Sequence, residues 1–261
     1  MKKMPVLFVG HGNPMNALDK NSPFNQNFRQ TTQTFEKPKA ILMISAHWYS
    51  SRLQVTSGEN PPMIYDFHGF PEELSQVQYP AQGSPELAEK VRSLLAPESV
   101  EMNPTRGFDH GAWTVLKYLY PDADVPVVQL SINRLQPAEW HFALAKKLAP
   151  LRDEGVLIIG SGNIVHNLRA ISWEHINQIG AGYDWAFAFR NEINQAIDAQ
   201  NDDLLVHYGQ LGENAELAVP TPDHYLPLLY VMALREPSDK VAFFNDELMA
   251  GSLSMTSVLI G

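Results

Sequence analysis

The 261-residue chain contains no cysteine. Disulfides, thiolate nucleophiles and cysteine zinc clusters are therefore excluded, and any metal must sit on histidine, aspartate or glutamate. Long hydrophobic runs are lacking too, since no stretch approaches the roughly 18 apolar residues of a membrane span. The start, Met1-Lys2-Lys3-Met4-Pro5, carries two lysines without the long apolar segment of a secretory signal. Positive charge is scarce: 19 Lys and Arg stand against 29 Asp and Glu, a formal net charge of -10. With no basic stripe, nucleic acid and anionic membrane surfaces are poor partners. Gly10-His11-Gly12 and Gly160-Ser161-Gly162 follow apolar runs, but Met15 and Val165 stand where a dinucleotide fingerprint needs its third glycine. There is no Gly-x-Ser-x-Gly elbow and no Walker loop. The expectation is a soluble, cytoplasmic protein that uses neither a nicotinamide nor a nucleotide.

Hydrophobic residues make up 44% and aromatics 10%, enough for a substantial core. Short continuous apolar runs bounded by turn residues suit strands covered on both faces. Such runs lie at 5–9, ending in Gly10-His11-Gly12, at 40–46, ending in His47-Trp48, and at 156–160, leading into Ser161-Gly162-Asn163-Ile164-Val165-His166. Further strands are expected at 53–56, 125–132, 241–244 and 253–260. Helices are expected at 23–35 and 85–95, each opened by a Ser-Pro cap, and at 112–119, 137–152, 184–199 and 226–234. Residues 58–83 form a long loop rich in proline, glycine and aromatics, a candidate lid or substrate wall. Strand and helix alternate without a linker or repeat. The fold class is therefore α/β, a single domain over 1–261 with a central mixed β-sheet flanked by helices.

Ligands of open α/β sheets collect outside the carboxyl ends of the strands. Five of the nine histidines, His11, His47, His110, His166 and His224, fall at strand ends or helix starts beside Gly, Pro or Asn. One such residue would more readily be structural; five at these positions favour a metal site built on neutral imidazole. Asn163 and Asp223 could orient imidazole rings, or serve only as an Asx turn and a helix cap. His141 and His207 lie within helical patterns and read as packing or surface residues. His175 sits in a polar connection without an identifiable partner, and His68, in the aromatic loop, could touch a substrate. Trp48 and Trp113 read as core.

Together these stretches resemble the class III extradiol ring-cleavage dioxygenases, of the DOPA-cleaving type. The likeness is carried by Gly10-His11-Gly12-Asn13-Pro14, Ser45-Ala46-His47-Trp48, Asp66-Phe67-His68-Gly69-Phe70-Pro71 and Gly107-Phe108-Asp109-His110-Gly111-Ala112-Trp113. It continues through Gly162-Asn163-Ile164-Val165-His166-Asn167-Leu168 and Pro222-Asp223-His224-Tyr225-Leu226-Pro227. The resemblance implies one divalent metal ion, zinc as isolated and Fe(II) for dioxygenase activity. It implies His11, His47 and His224 as ligands. His166 corresponds to a residue that is a fourth metal ligand in some members and an acid–base group in the ring-cleavage scheme. His110 corresponds to a histidine facing the substrate. The expected reaction opens a catechol such as L-DOPA with O2 to a muconic semialdehyde, with Tyr65 and Phe70 walling the pocket. The alternatives are a zinc-dependent hydrolase using Asp109 or Asp223 as base, or a non-catalytic metal-binding protein on the same scaffold.

Overall fold

Alternation within the apolar strands decides the layering. In β1 (Val6–Gly10), Val6 and Phe8 face one core while Leu7 and Val9 face the other. In β2 (Ala40–Ser50), Leu42 and Ile44 join the first core, and Ile41 and Met43 the second. β6 (Val156–Gly162) splits the same way, Ile158 against Leu157 and Ile159. Successive strand residues point to opposite faces, so a run that is apolar throughout must be covered on both. Helices Ala138–Lys146, Asp184–Asp198 and Leu226–Met232 cover one face; helices Pro23–Thr31 and His110–Leu119 cover the other.

The computed structural model describes residues 2–261. The remaining strands are β3 (Leu53–Thr56), β4 (Val100–Asn103), β5 (Val127–Asn133), β7 (Val241–Phe244), β8 (Leu248–Met249), β9 (Leu253–Ser254) and β10 (Ser257–Ile260). The main sheet has the order β4-β3-β5-β2-β6-β1-β10-β7, and β8 pairs with β9 separately. β5, β2, β6 and β1 run parallel, whereas β10 and β7 complete that side antiparallel. This is the expected mixed sheet between helices. β2, β6 and β1 are neighbours, so the chain segments that leave their carboxyl ends converge on one edge.

Several boundaries differ from the sequence expectation. β2 does not stop at His47 but continues to Ser50. Its pairing with β5 shifts there, so that Ser45 to Trp48 stand opposite the single residue Ser131. An irregularity of this kind bends the strand and re-aims its side chains. The expected helix at 137–152 breaks before Pro150, which opens a new turn because it has no N–H to continue the old one. The helix from Pro23 ends at Thr31 and tightens into a 3-10 turn, Thr32–Thr34. The expected strand at 253–260 is interrupted between β9 and β10, where the Met255 backbone packs against Gly10. β4 was hidden because only its first residue, Val100, is buried, which leaves a polar edge strand without an apolar run. Within 58–83 a short helix, Glu72–Ser75, buries Leu74.

Candidate active site

Five elements deliver histidines to the carboxyl edge of the sheet. His11 follows β1 directly, and His47 lies in the irregular part of β2. His110 opens helix His110–Leu119, whose cap Asp109 accepts the N–H of Ala112 at 3.2 Å. His224 ends the 3-10 turn Pro222–His224. His166 follows β6, its backbone N–H donating to Ala218 O at 2.8 Å. The Gly162 position admits no side chain: a Cβ there would lie 2.1 Å from His224 O, which accepts the Asn163 N–H at 2.9 Å. A Cβ at Gly111 would likewise meet Ser45 Oγ at 2.4 Å and His47 Cδ2 at 2.8 Å. These glycines let the histidine-bearing segments close on one another.

Hydrogen bonds set the tautomers. Ser161 Oγ donates to Gly111 O at 2.6 Å, so the 3.0 Å contact to His11 is a bond from the imidazole Nδ1–H. His11 Nε2 then carries a lone pair. His224 Nδ1 donates to the Asp223 carboxylate, which leaves its Nε2 as an acceptor, buried and without any partner among the described residues. His47 Nε2 lies 3.1 Å from His11 Nε2. That is the separation of two nitrogens each about 2.1 Å from a shared ion. The ligand atoms of His11, His47 and His110 all lie within 4.8 Å of one another, close enough to hold one ion. The His224 ring centre is 5.2 Å from that of His11 and 5.0 Å from that of His47, and His166 stacks on it at 3.4 Å.

The electrostatics suit this use. Burial, reinforced by the neighbouring histidines, holds His11 and His224 well below the ordinary imidazole value. Burial and the adjacent His110 lower His47 to about 4, and burial lowers His166 to about 4. These four imidazoles are therefore neutral at physiological pH, the state that binds a metal. Asp66 resists the rise that burial would impose, because contact with His110 outweighs it. Its Oδ1 accepts the His110 backbone N–H at 2.9 Å and lies 3.0 Å from His110 Nδ1, while Oδ2 is 3.7 Å from His47 Nδ1.

The five expected histidines are thus brought together, and the others are not. His141 is fully buried in packing, bonded to Tyr230 Oη at 2.9 Å and Asn133 O at 3.1 Å. His207 pairs with Asp203 and Glu139 on the surface. His175 bonds Ser172 Oγ at 2.8 Å, outside the cluster. Of the two proposed ring-orienting residues, Asp223 holds His224, but the Asn163 side chain donates instead to Ser254 O at 2.7 Å. Trp48 and Trp113 are core, as expected.

The cluster forms the floor of a cavity of about 600 Å³. Phe67, His68 and Phe70 line it; Tyr65 does not. Tyr65 turns inward, its hydroxyl donating to Val77 O at 2.7 Å and its ring centre 5.8 Å from that of Trp113. The loop 58–83 is thus a wall, built by Phe67 rather than by Tyr65. Sequence reasoning gave no role to Ser161, nor to Asp66 between His47 and His110. The second might have been sought in the Asp66-Phe67-His68 stretch, since buried histidines need an acceptor.

The family described as the catalytic LigB subunit of aromatic ring-opening dioxygenase matches residues 5–225. The chain belongs to this LigB family, whose class is that of enzymes that incorporate O2 as they cleave a ring. A 4,5-DOPA dioxygenase extradiol from Escherichia coli (strain K12) is 44% identical over 99% of this chain and 95% of its own. One from Beta vulgaris is 38% identical over 97% of this chain and 94% of its own. A crystal structure of an uncharacterized Escherichia coli K12 protein superimposes with a TM-score of 0.86 at 41% identity, covering 99% of this chain and 100% of that one.

Proposed function

We propose that this chain opens the ring of a catechol beside its two hydroxyls, with one divalent metal ion held by His11, His47 and His224. Both atoms of O2 enter the product, a muconic semialdehyde, as one ring C–C bond breaks. The observation that carries this reading is the close His11 Nε2–His47 Nε2 pair beside the His224 ring, whose Nε2 is buried and unpartnered among the described residues, at the floor of an aromatic-walled cavity. A buried acceptor without a donor costs free energy, and an ion supplies what it lacks. The donor set suits zinc or iron. When bound, Fe(II) supplies the one-electron chemistry that O2 activation needs and that zinc lacks.

The remaining steps fall to the protein. A catechol must lose protons to chelate, and His166, neutral with its value lowered to about 4, is free to take one from a substrate hydroxyl onto its imidazole. It returns that proton as the ring opens. His110, steadied by Asp66, faces the cavity and hydrogen-bonds the substrate oxygens. Phe67 and Phe70 flank the ring and exclude water. His110 also lies close enough to His11 and His47 to hold the ion. With His224 as the third ligand instead, His224→Ala should lose the metal, while His110→Ala should keep it and lose turnover.

A metal-dependent hydrolase would need a carboxylate free to deprotonate water. Asp109 is fully buried and spent on Ser45 Oγ at 2.7 Å and Gln129 Nε2 at 2.5 Å, and Asp223 is spent on His224. Neither carboxylate is free to serve as that base. The test is oxygen consumption by the Fe(II)-reconstituted protein with L-DOPA, the compound for which the relatives are named, beside zinc-loaded and His166→Ala samples. Uptake with a yellow ring-opened product, lost in both controls, is expected; no uptake with any catechol sinks the proposal.

A further inference from the structure

Above the histidines the cavity is asymmetric in chemistry. One wall is the segment after His166, which presents Leu168, Ile171, Trp173 and Ile176 to the cavity. Leu168 is 63% exposed and Trp173 80% exposed, a cost in water that single core-facing residues do not carry. The segment is not frayed: the Asn167 side chain caps its first turn through Arg169 N at 3.1 Å, and Ser172 N donates to Ala250 O at 2.8 Å. These apolar side chains are therefore held out deliberately, beside the mouth of the site.

Among the described residues no lysine or arginine lines the cavity, and its carboxylate, Asp66, is already engaged by His110 and His47. Arg169, next to Leu168, is exposed and lies off the wall. Along the Leu168–Ile176 wall a carboxylate on the substrate would meet only apolar side chains; the polar lining, Asn13, Asp66 and the imidazoles with His68, lies elsewhere around the cavity. An alkyl or aryl group would meet a surface that gains by being covered.

We infer that the Leu168–Ile176 shelf receives the ring substituent of the substrate, and that the enzyme selects catechols with an uncharged apolar substituent over those bearing a carboxylate. The inference rests on the ring-opening reading and narrows its substrate class. Trp173 is the specificity-determining residue, because it offers the largest apolar face at the mouth. Covering a short alkyl chain is worth about tenfold or more in kcat/KM at usual burial coefficients.

The test uses the full iron-loaded chain with catechol, a propyl-substituted catechol, dihydroxyphenylpropionate and L-DOPA. The propyl compound should exceed the propionate at least about tenfold in kcat/KM. Trp173→Ala should cut the propyl-to-catechol ratio about tenfold, and Trp173→Phe should restore most of it. Leu168→Arg should move preference toward the propionate. Propionate or L-DOPA used as well as the propyl compound overturns the inference, as does a ratio unmoved in Trp173→Ala. Propionate turnover lost in Arg169→Ala also overturns it, by assigning the carboxylate to that arginine. If no catechol is opened, the ring-opening reading fails by itself. Anaerobic quenching of tryptophan fluorescence then decides the shelf: tighter propyl binding that Trp173→Ala weakens upholds it, and equal binding of propyl and propionate compounds overturns it.

Discussion

Arg152 and His224 are buried polar residues at opposite ends of the same central strands, and their surroundings treat them oppositely. Arg152 sits at the amino ends of β1 and β6. Its Nε donates to Met4 O at 2.8 Å, and its guanidinium also bonds Leu234 O at 2.7 Å and both oxygens of Asp239 at 2.8 and 3.2 Å. Asp239 in turn accepts Glu236 N at 2.8 Å. Little is left unpaired. At the carboxyl ends, His224 Nε2 has no partner among the described residues and five imidazoles crowd together, with burial lowering the proton affinity of His11, His47, His166 and His224. The amino end is saturated and stabilises; the carboxyl end is left short of a ligand. A protein tolerates an unsatisfied buried cluster where function needs one.

The largest effect that would break this comparison is on stability. Arg152→Ala should cost roughly 3–5 kcal/mol in urea unfolding, because losing the fully buried guanidinium leaves Met4 O and Leu234 O without a donor and half-buried Asp239 without its cation. His47→Ala should cost about 1 kcal/mol or less in the metal-free protein, yet abolish metal binding. If the two variants are equally destabilised, the two ends are not different in kind.

Acid sharpens the contrast. His47 and His166 titrate near 6.5 in the unfolded chain and at about 4 in the folded one. The unfolded chain binds more protons throughout that window, so stability is whole above pH 6.5 and falls as pH drops toward 4. Each such imidazole contributes at most about 3 kcal/mol. Asp239 behaves otherwise: Arg152 and a backbone N–H hold its carboxyl below the ordinary 3.8 despite burial, so its contribution persists through the same window and is lost only in stronger acid. Metal-free unfolding followed from pH 7 to pH 4 should therefore lose stability in wild type and in Arg152→Ala alike, and less steeply in His47→Ala.

The smallest effect concerns the carboxylate behind a ligand. Asp223→Ala should weaken metal affinity by roughly 10- to 100-fold by removing the acceptor that sets the His224 tautomer. Competition with a chelator measures it, and the metal-free protein should unfold much as wild type does. An unchanged affinity would make Asp223 a turn residue only.

Much of the fold and of the site is legible in the amino-acid sequence. The apolar runs of β1, β2 and β6 announced strands buried on both faces, because period-two alternation is lost only where both sides are covered. His11 and His166 were placed at the carboxyl edge by the turn residues that end those runs. The continuation of β2 past His47 was not legible, since its irregular pairing depends on β5, far away in sequence. Nor was β4, whose partner supplies the hydrogen bonds that its own polar sequence does not advertise.

The sequence by itself determined the class of fold, the residues available for a metal in a chain without cysteine, and the likeness to ring-opening dioxygenases. The first two follow from composition, periodicity and local turn chemistry, which act over a few residues; the likeness is a resemblance carried by six short motifs in order along the chain. Only the tertiary structure decided that Ser161 and Asp223 set the tautomers of His11 and His224, that Asp66 stands between His47 and His110, and that Tyr65 turns inward while Phe67 lines the cavity. Tertiary structure also lifted the shelf that carries Trp173 over the cavity mouth. Most of these contacts join segments tens to more than a hundred residues apart, and even the short-range Asp223–His224 bond matters only because folding buries the opposite nitrogen. Hydrogen bonds and burial of that kind exist only once the sheet has brought its strand ends together.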